Sequence, residues 1–374
     1  MEIVVDGLIY QLQAHGGLSR LYNEVFPRLC EMEAAFQVVV LTSGQLRQTP
    51  PKHPRLRHQA LLPVDSLLRP ARFWQPVSLR ARAWVQQTWL KGARGRVWHS
   101  TYYTLLEPWE GPKVVTVADM IHEHVPQLFS GPAQERFRAQ KRHCIMAADA
   151  VICISDTSRQ DLQQWYRLNP AKIYTISLAH QPLFTRLDSL SSAHDSPTNK
   201  PFLLYVGDRN HYKNFTGLLR AYSTWPRRKD VDLVVVGKQW SRPERQQLAQ
   251  LGLAERVHSL SGVDDHRLCR LYNQAAAFVY PSLYEGFGIP LLEAMACGCP
   301  IVASRIPSTQ EVAQECPVYF EPADPEDLCR AFDAALLEGR ASERVRQGLE
   351  RVQRYSWDQT ARQILGVYRA LSPA

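Results

Sequence analysis

The sequence predicts an α/β protein of two doubly wound, parallel-sheet domains facing each other across a cleft. Three observations predict it. At 374 residues the chain exceeds one ordinary core and suits two. Short apolar runs alternate with amphipathic helical stretches almost throughout, the pattern of parallel strands with helices on both faces. A polar, serine-rich stretch from Asp188 to Lys200, carrying Pro197, divides that alternation into two series and reads as a linker. The expected division is therefore residues 1–187, a linker at 188–200, residues 201–355, and a closing helical segment at 356–374.

In the first series, strands are expected at Glu2 to Val5, Phe36 to Leu41, Val114 to Val117, Ala150 to Ile154 and Ile173 to Ser177. Each is a short apolar run rich in β-branched residues. In the second, "PFLLYVGD", "VDLVVVGK", "RVHSLSG", "AAFVYPS", "PIVAS" and "PVYFEP" read as strands, with helices such as Pro243 to Leu253 and Pro325 to Leu337 between them. In sheets of this kind ligands bind outside the C-terminal ends of the strands. The informative residues should therefore lie just after them.

Hydrophobic residues make up 45% of the chain, the content of a soluble globular protein, and no apolar run reaches membrane-spanning length. The opening "MEIVVDG" is acidic and then strand-like, unlike a signal peptide. The eight cysteines (Cys30, Cys144, Cys153, Cys269, Cys297, Cys299, Cys316 and Cys329) are scattered, and Cys297-Gly-Cys299 lacks zinc-site spacing. Reduced thiols in a cytoplasm are the expectation. The formal net charge is +8, and the basic residues are concentrated. From Arg55 to Arg96 the only acid is Asp65, and Phe73, Trp74, Trp84, Trp89 and Trp98 are interleaved with or follow the cations. Such a surface could meet nucleic acid, an anionic membrane or a phosphorylated acceptor; equally, its tryptophans could pack inward while its arginines stay solvated.

Three turns carry the chemistry. In "SLYEGFGIPLLEAMACG" a strand ends, Gly286 and Gly288 allow backbone N–H groups to approach a ligand, and Pro290 opens a helix. The helix start attracts an anion such as phosphate, and carboxylates beside it suit hydroxyl groups, because an acid accepts two hydrogen bonds from a diol. A helix start alone would account for Glu293 near its dipole, but not for Glu285. In "LYVGDRNHYKNF" a strand ends at Gly207, and Arg209 and Lys213 follow, where they could neutralise a diphosphate or simply be solvated. In "LQAHGGLSRLYNEV" Gly16 and Gly17 open a helix after the first strand.

Together "EGFGIPLLE", the "YVG…KNF" loop and "GGLSR" resemble glycosyltransferase family 4, the retaining GT-B enzymes that use sugar nucleotides. The likeness covers most of the chain and is densest from Phe202 to Phe320; "VVTVADMIHEHVP" and "ADAVICISDTSRQDL" continue it in the first half. It implies a GT-B fold, two Rossmann-like domains, with a terminal helix, "YSWDQTARQILGVY", crossing back to the first. By the same resemblance Glu293 would bind the ribose hydroxyls and Glu285 the hydroxyls of the transferred sugar. Backbone around Gly286, Phe287, Gly288 and Ile289 would contact sugar and diphosphate. Lys213, assisted by Arg209, would stabilise the departing diphosphate, Val263 would face the base, and Gly16 and Gly17 would line the acceptor side. The donor would be a nucleotide diphosphate sugar, GDP-mannose above UDP-sugars, and the acceptor a glycan or lipid-linked glycan. Cytoplasmic placement, the basic stretch docking on the inner membrane face, no nucleic acid, no cofactor and no catalytic metal complete the expectation.

Two departures from the family pattern matter. Asp208 stands directly after the glycine of the phosphate loop, where many relatives have arginine, with Arg209 one residue later. The second is sharper. The family usually has T-x-H-D after the "VVTV" strand, and here Ala118 stands in the place of that histidine, followed by Asp119. The rival reading is therefore a sugar-nucleotide-binding protein with little transfer; a third, nucleic-acid binding through the basic stretch, is disfavoured. Within enzymes, "GGLSR" with the two spaced glutamates favours transfer over the sugar-nucleotide epimerisation that the same fold also serves.

Overall fold

The computed structural model describes residues 1–14, 16–60, 96–106, 109–188 and 196–372. The chain divides into two compact units, Met1–Leu178 with Trp357–Ala374, and Ala179–Ser356.

The first unit carries strands β1 (Glu2–Asp6), β2 (Gln37–Thr42), β3 (Leu56–Ala60), β4 (Val97–Ser100), β5 (Lys113–Val117), β6 (Ala150–Cys153) and β7 (Ile173–Thr175). Helices α1 (Leu8–Leu12), α2 (Gly17–Met32), α3 (Ile121–His124), α4 (Pro132–Ala147) and α5 (Asp156–Trp165) run between them. The second unit carries β8 (Phe202–Val206), β9 (Asp232–Val236), β10 (Val257–Leu260), β11 (Ala277–Tyr280), β12 (Ile301–Ser304) and β13 (Val318–Phe320). Its helices are α6 (Phe215–Thr224), α7 (Arg242–Gln250), α8 (Asp265–Gln274), α9 (Ile289–Ala296), α10 (Pro307–Ala313), α11 (Pro325–Glu338) and α12 (Glu343–Arg351); α13 (Trp357–Leu371) returns to the first unit.

Both sheets are parallel. Their orders are β3-β2-β1-β4-β5-β6-β7 and β10-β9-β8-β11-β12-β13. Each winds outward one way from its first strand and then the other way, so each has a switch point, β1/β4 and β8/β11, where the following loops diverge and leave a crevice. Strands buried on both faces read as continuous apolar runs, and β9 (DLVVV) is buried throughout. In the second unit Leu203, Leu233, Val279 and Val302 from four adjacent strands pack with Trp225 and Phe332 from the helical layer.

Two strands lie outside the sequence expectation. β3, Leu-Arg-His-Gln-Ala, is a mostly exposed edge strand with no apolar run. β4, Val-Trp-His-Ser, is fully buried, but half of it is polar. His99 is accommodated there because its ring bonds Tyr368 Oη at 2.5 Å and Thr116 Oγ1 at 2.8 Å. Tyr368 belongs to α13, which is further held by Arg28 Nε donating to Asp358 (2.8 Å) and Arg369 Nη2 donating to Glu33 (2.8 Å).

The expected boundary at 187/188 is corrected to 178/179. Residues after Leu178 already belong to the second unit: Phe184 packs edge-on against Tyr272, and Asn273 donates to Thr185 O (3.0 Å) and accepts from Leu187 N (3.0 Å). The end of the expected linker is also tied down, with Thr198 Oγ1 bonded to Asp232 and Lys200 Nζ donating to Lys229 O (2.5 Å). Residues 189–195 of that linker lie outside the described residues, as does most of the basic stretch, including Phe73, Trp74, Trp84 and Trp89. Its ends are described. Arg55 Nη1 donates to Ala34 O (2.6 Å), Arg96 pairs with Glu2 (2.9 Å), and Trp98 is buried against Trp109. No helix among the described residues is long and apolar enough to cross a membrane.

Candidate functional site

The β8/β11 switch point brings together two loops far apart in sequence. After β8, Gly207 takes φ +135°, a conformation that favours glycine, and the chain turns through a 3₁₀ segment, His211–Lys213, into α6. After β11, Pro281 to Gly288 leads into α9, with Pro290 in the first turn and Gly288 at φ +118°. Leu283 N donates to Tyr212 O at 2.7 Å, so the loops are joined through their backbones. Lys213 Nζ then donates to Glu285 Oε1 at 2.6 Å, and Ser282 Oγ donates to the same oxygen at 2.6 Å. Lys213 and Glu285 keep 21% and 11% of their side-chain surface exposed, so the pair is largely desolvated yet reachable. Burial opposes the charge on Lys213, but Glu285, Tyr212 and Asp208 together outweigh it and hold the ammonium above its usual value.

The backbone residues singled out in sequence follow directly. Gly286 and Gly288 are buried, as are Phe287, whose ring meets Tyr355 edge-on at 5.8 Å, and Ile289. Glu293, one turn into α9, is 4% exposed and accepts from Tyr272 Oη of α8 at 3.0 Å through Oε2. Burial and the adjacent carboxylate push the Tyr272 hydroxyl far above its ordinary value, so it stays a donor.

Arg209 takes a different course. Its Nε donates to Glu244 Oε1 (2.5 Å), Nη1 to Lys238 O (2.9 Å), and Nη2 to Gln239 O (3.1 Å) and Glu244 Oε2 (3.3 Å), while its guanidinium stacks 4.6 Å over Trp240. The arginine thus ties the β8 loop to the β9–α7 loop and does not join Lys213 and Glu285. Hydrogen bonding from Arg209 holds the Glu244 carboxyl down at about 2, and Glu244 also accepts from Ser241 N (2.7 Å). The Ser-x-x-Glu spacing of that capping box is the sequence signal that could have identified Glu244. Val263 is half-buried in the loop after β10, the edge strand two places from β8.

The remaining expected residues belong to the first unit. Gly16, extended at φ 179°, caps α2, and Gly17 is its first residue; Ser19 Oγ donates to Gly16 O at 3.1 Å. Asp119 follows β5, its Oδ1 accepting from Ile121 N (3.1 Å). Fully buried Lys141 of α4 holds this segment from below, donating to Asp119 O (2.9 Å) and Glu123 Oε2 (2.8 Å), while Tyr166 Oη donates to Glu123 Oε1 (3.0 Å). Ala118 offers only its carbonyl, which accepts from Ser158 Oγ (3.0 Å). The His122 ring lies between Phe129 (4.3 Å) and Phe137 (4.7 Å), and burial lowers its pKa; His124 pairs with Asp161 (3.0 Å). Asp6, at the end of β1, accepts from Ser100 Oγ (2.9 Å), Thr101 N (3.0 Å), Thr101 Oγ1 and Thr104 Oγ1. Burial nevertheless pushes its carboxyl up to about 6. Neither the Lys141 network nor Asp6 was singled out in sequence, since one lysine in a helix and one aspartate after a strand carry no local signature.

Comparison with known proteins places this geometry. The profile described as Glycosyltransferase Family 4 matches residues 15–179, and that described as Glycosyl transferases group 1 matches residues 188–351. The Escherichia coli O-antigen chain mannosyltransferase B is 32% identical over 241 residues, 60% of this chain and 61% of that protein. The Escherichia coli serotype-specific mannosyltransferase WbdA is 29% identical over 282 residues, 70% of this chain and 34% of that protein. The chain therefore spans less than two thirds of the length of either relative. Sucrose-phosphate synthase from Thermosynechococcus elongatus superposes with a TM-score of 0.81 at 22% identity over 99% of both chains, a likeness of fold. With a Family 4 match over its first unit, a group 1 match over its second and the GT-B fold, the chain belongs to the family 4, group 1 glycosyltransferases.

Proposed function

We propose that this protein is a retaining glycosyltransferase that moves a sugar from a nucleotide diphosphate sugar, GDP-mannose above UDP-sugars, to a glycan or lipid-linked acceptor. The observation that carries the proposal is the Lys213–Glu285 pair at the β8/β11 switch point, beside the glycine turn that opens α9. Breaking a bond between sugar and diphosphate leaves negative charge on the departing oxygen and positive charge on the sugar. Lys213 has three donors and spends one on Glu285, so it can also meet a diphosphate oxygen; the start of α9 adds a second source of positive potential. Charge stabilisation of this preorganised kind is commonly the largest catalytic contribution. Glu285, fixed by Lys213 and Ser282, suits the sugar hydroxyls, and Glu293 the ribose diol. Among the described residues no side chain is placed as an evident covalent nucleophile, which favours attack from the leaving group's own face. Lys213 supplies charge that a metal ion would otherwise provide, so transfer should survive chelation. The mannosyltransferase relatives support mannose as the sugar.

The experiment is thermal denaturation with GDP, UDP and ADP in large excess, followed by transfer assays with the matching sugar nucleotides. A ligand at about 100 times its Kd adds roughly 2.7 kcal/mol of stability. A rise in Tm with one nucleotide and product from its sugar conjugate support the proposal; no rise with any of them removes the donor site.

Ala118 favours a second reading, a sugar-nucleotide-binding protein with weak transfer. Ala118 presents no polar side chain after β5, and His122, the nearest histidine in sequence, packs with tilted rings against Phe129 and Phe137. Ala118→His separates the two readings. Turnover that is robust in both forms removes the second reading, whereas turnover that appears only with histidine favours it.

A further inference from the structure

Arg340, between α11 and α12, gathers the C-terminal ends of two helices. Its Nη1 donates to Cys297 O (3.4 Å) and Gly298 O (2.9 Å) at the end of α9, and its Nη2 to Tyr272 O (2.5 Å) and Ala275 O (2.8 Å) at the end of α8. The last carbonyls of a helix have no partner within it, and a cation there also meets the negative end of the dipole. A planar guanidinium meets carbonyls from both helices at once through a rigid fork of donors, a geometry that the single ammonium of a lysine does not offer. The two helices are thereby fixed in register.

That register decides one side-chain contact. Tyr272 is fully buried, its ring edge-on to Phe278 of β11 (5.3 Å) and Phe184 (6.0 Å), and its hydroxyl reaches Glu293 Oε2. The clamp holds the backbone carbonyl of Tyr272 itself, while the N–H of Cys297, which caps the end of α9, donates to Glu293 O at 3.1 Å. The most direct route from Arg340 to the Glu293 carboxylate therefore runs through Tyr272, held at its backbone carbonyl (2.5 Å) and bonded through its hydroxyl to Glu293 Oε2 (3.0 Å). Phenylalanine at 272 would keep the ring and lose the hydroxyl that donates to Glu293 Oε2.

Resting on the reading that Glu293 binds the ribose diol, we propose that Tyr272 is the positioning residue that aims Glu293 at the ribose, with Arg340 fixing the two helices that make this possible. Tyr272 acts through Glu293 without touching the nucleotide.

The test is calorimetric titration of the full chain with GDP and UDP and with their 2′-deoxy forms, in the wild type, Glu293→Gln, Tyr272→Phe and Arg340→Lys. The wild type should prefer the ribonucleotide roughly tenfold or more, the size of one hydrogen bond to a charged group. Tyr272→Phe and Arg340→Lys should lose most of that preference while keeping the affinity for the deoxy form. If Tyr272→Phe and Arg340→Lys weaken both forms equally, the two residues are merely structural and the proposal is overturned. If Glu293→Gln abolishes the preference and Tyr272→Phe retains it, the positioning role is overturned and the ribose reading stands. If Glu293→Gln retains the preference, or the wild type binds no nucleotide, the ribose reading falls and takes the proposal with it. Arg340→Lys keeps the test open should Tyr272→Phe fold poorly.

Discussion

Lys213 Nζ lies 2.6 Å from Glu285 Oε1, joining two loops whose residues are 72 positions apart in the chain. The pair holds the charge that the proposed reaction needs, before any substrate arrives. Lys213→Met should lower kcat by about 10²–10³-fold, the loss seen when one preorganised donor is removed. Initial rates with the donor found by thermal denaturation measure it. A kcat within a few-fold of wild type would show that the leaving group is stabilised elsewhere.

Gly288 supplies a second prediction. At φ +118° an alanine is strained, and its methyl group would sit 3.0 Å from Leu291 Cδ1. Gly288→Ala should cost about 1–3 kcal/mol of stability and weaken nucleotide binding, because the backbone there must move. Denaturant titration and calorimetry report the two effects separately; an alanine variant matching wild type in both would mean the turn is not constrained.

His99 makes the first unit sensitive to acid. Burial pulls its pKa down to about 3, below the ordinary value near 6.5. The unfolded chain therefore takes a proton that the folded chain refuses. The contribution is fully present above about 6.5 and is lost as pH falls through 3. Asp6 acts oppositely: raised to about 6, it contributes stability below the ordinary aspartate value of 3.8 that is lost as pH rises through 6. Denaturation midpoints between pH 7 and 4 should fall less steeply in His99→Gln than in wild type, and parallel curves would contradict the assignment.

Arg209 and Glu244 order the loop after β9. With Glu244 held at about 2, its contribution is complete above the ordinary glutamate value of 4.5 and lost as pH falls through 2. At pH 7 Glu244→Gln removes the ionic half of the pair while preserving shape, so amides of residues 237–241 should exchange hydrogen several-fold faster. Unchanged protection would leave the stacking on Trp240 as the ordering contact.

The sequence by itself determined the two parallel-sheet units, because strand and helix periods are local, and buried parallel strands announce themselves as apolar runs such as Asp232–Val236. It also placed Lys213, Glu285 and the glycine turn just after strands, since turn chemistry is read from neighbouring residues. Strand order was not local, and the tertiary structure decided it. Setting β8 beside β11 is what brings Lys213 to Glu285 and gives Tyr212 O to Leu283 N. The same long-range packing turned Arg209 toward Glu244, assigned residues 179–187 to the second unit, and put Tyr272 against Glu293. A charged side chain selects its partner by distance and desolvation, and both arise only when remote segments pack.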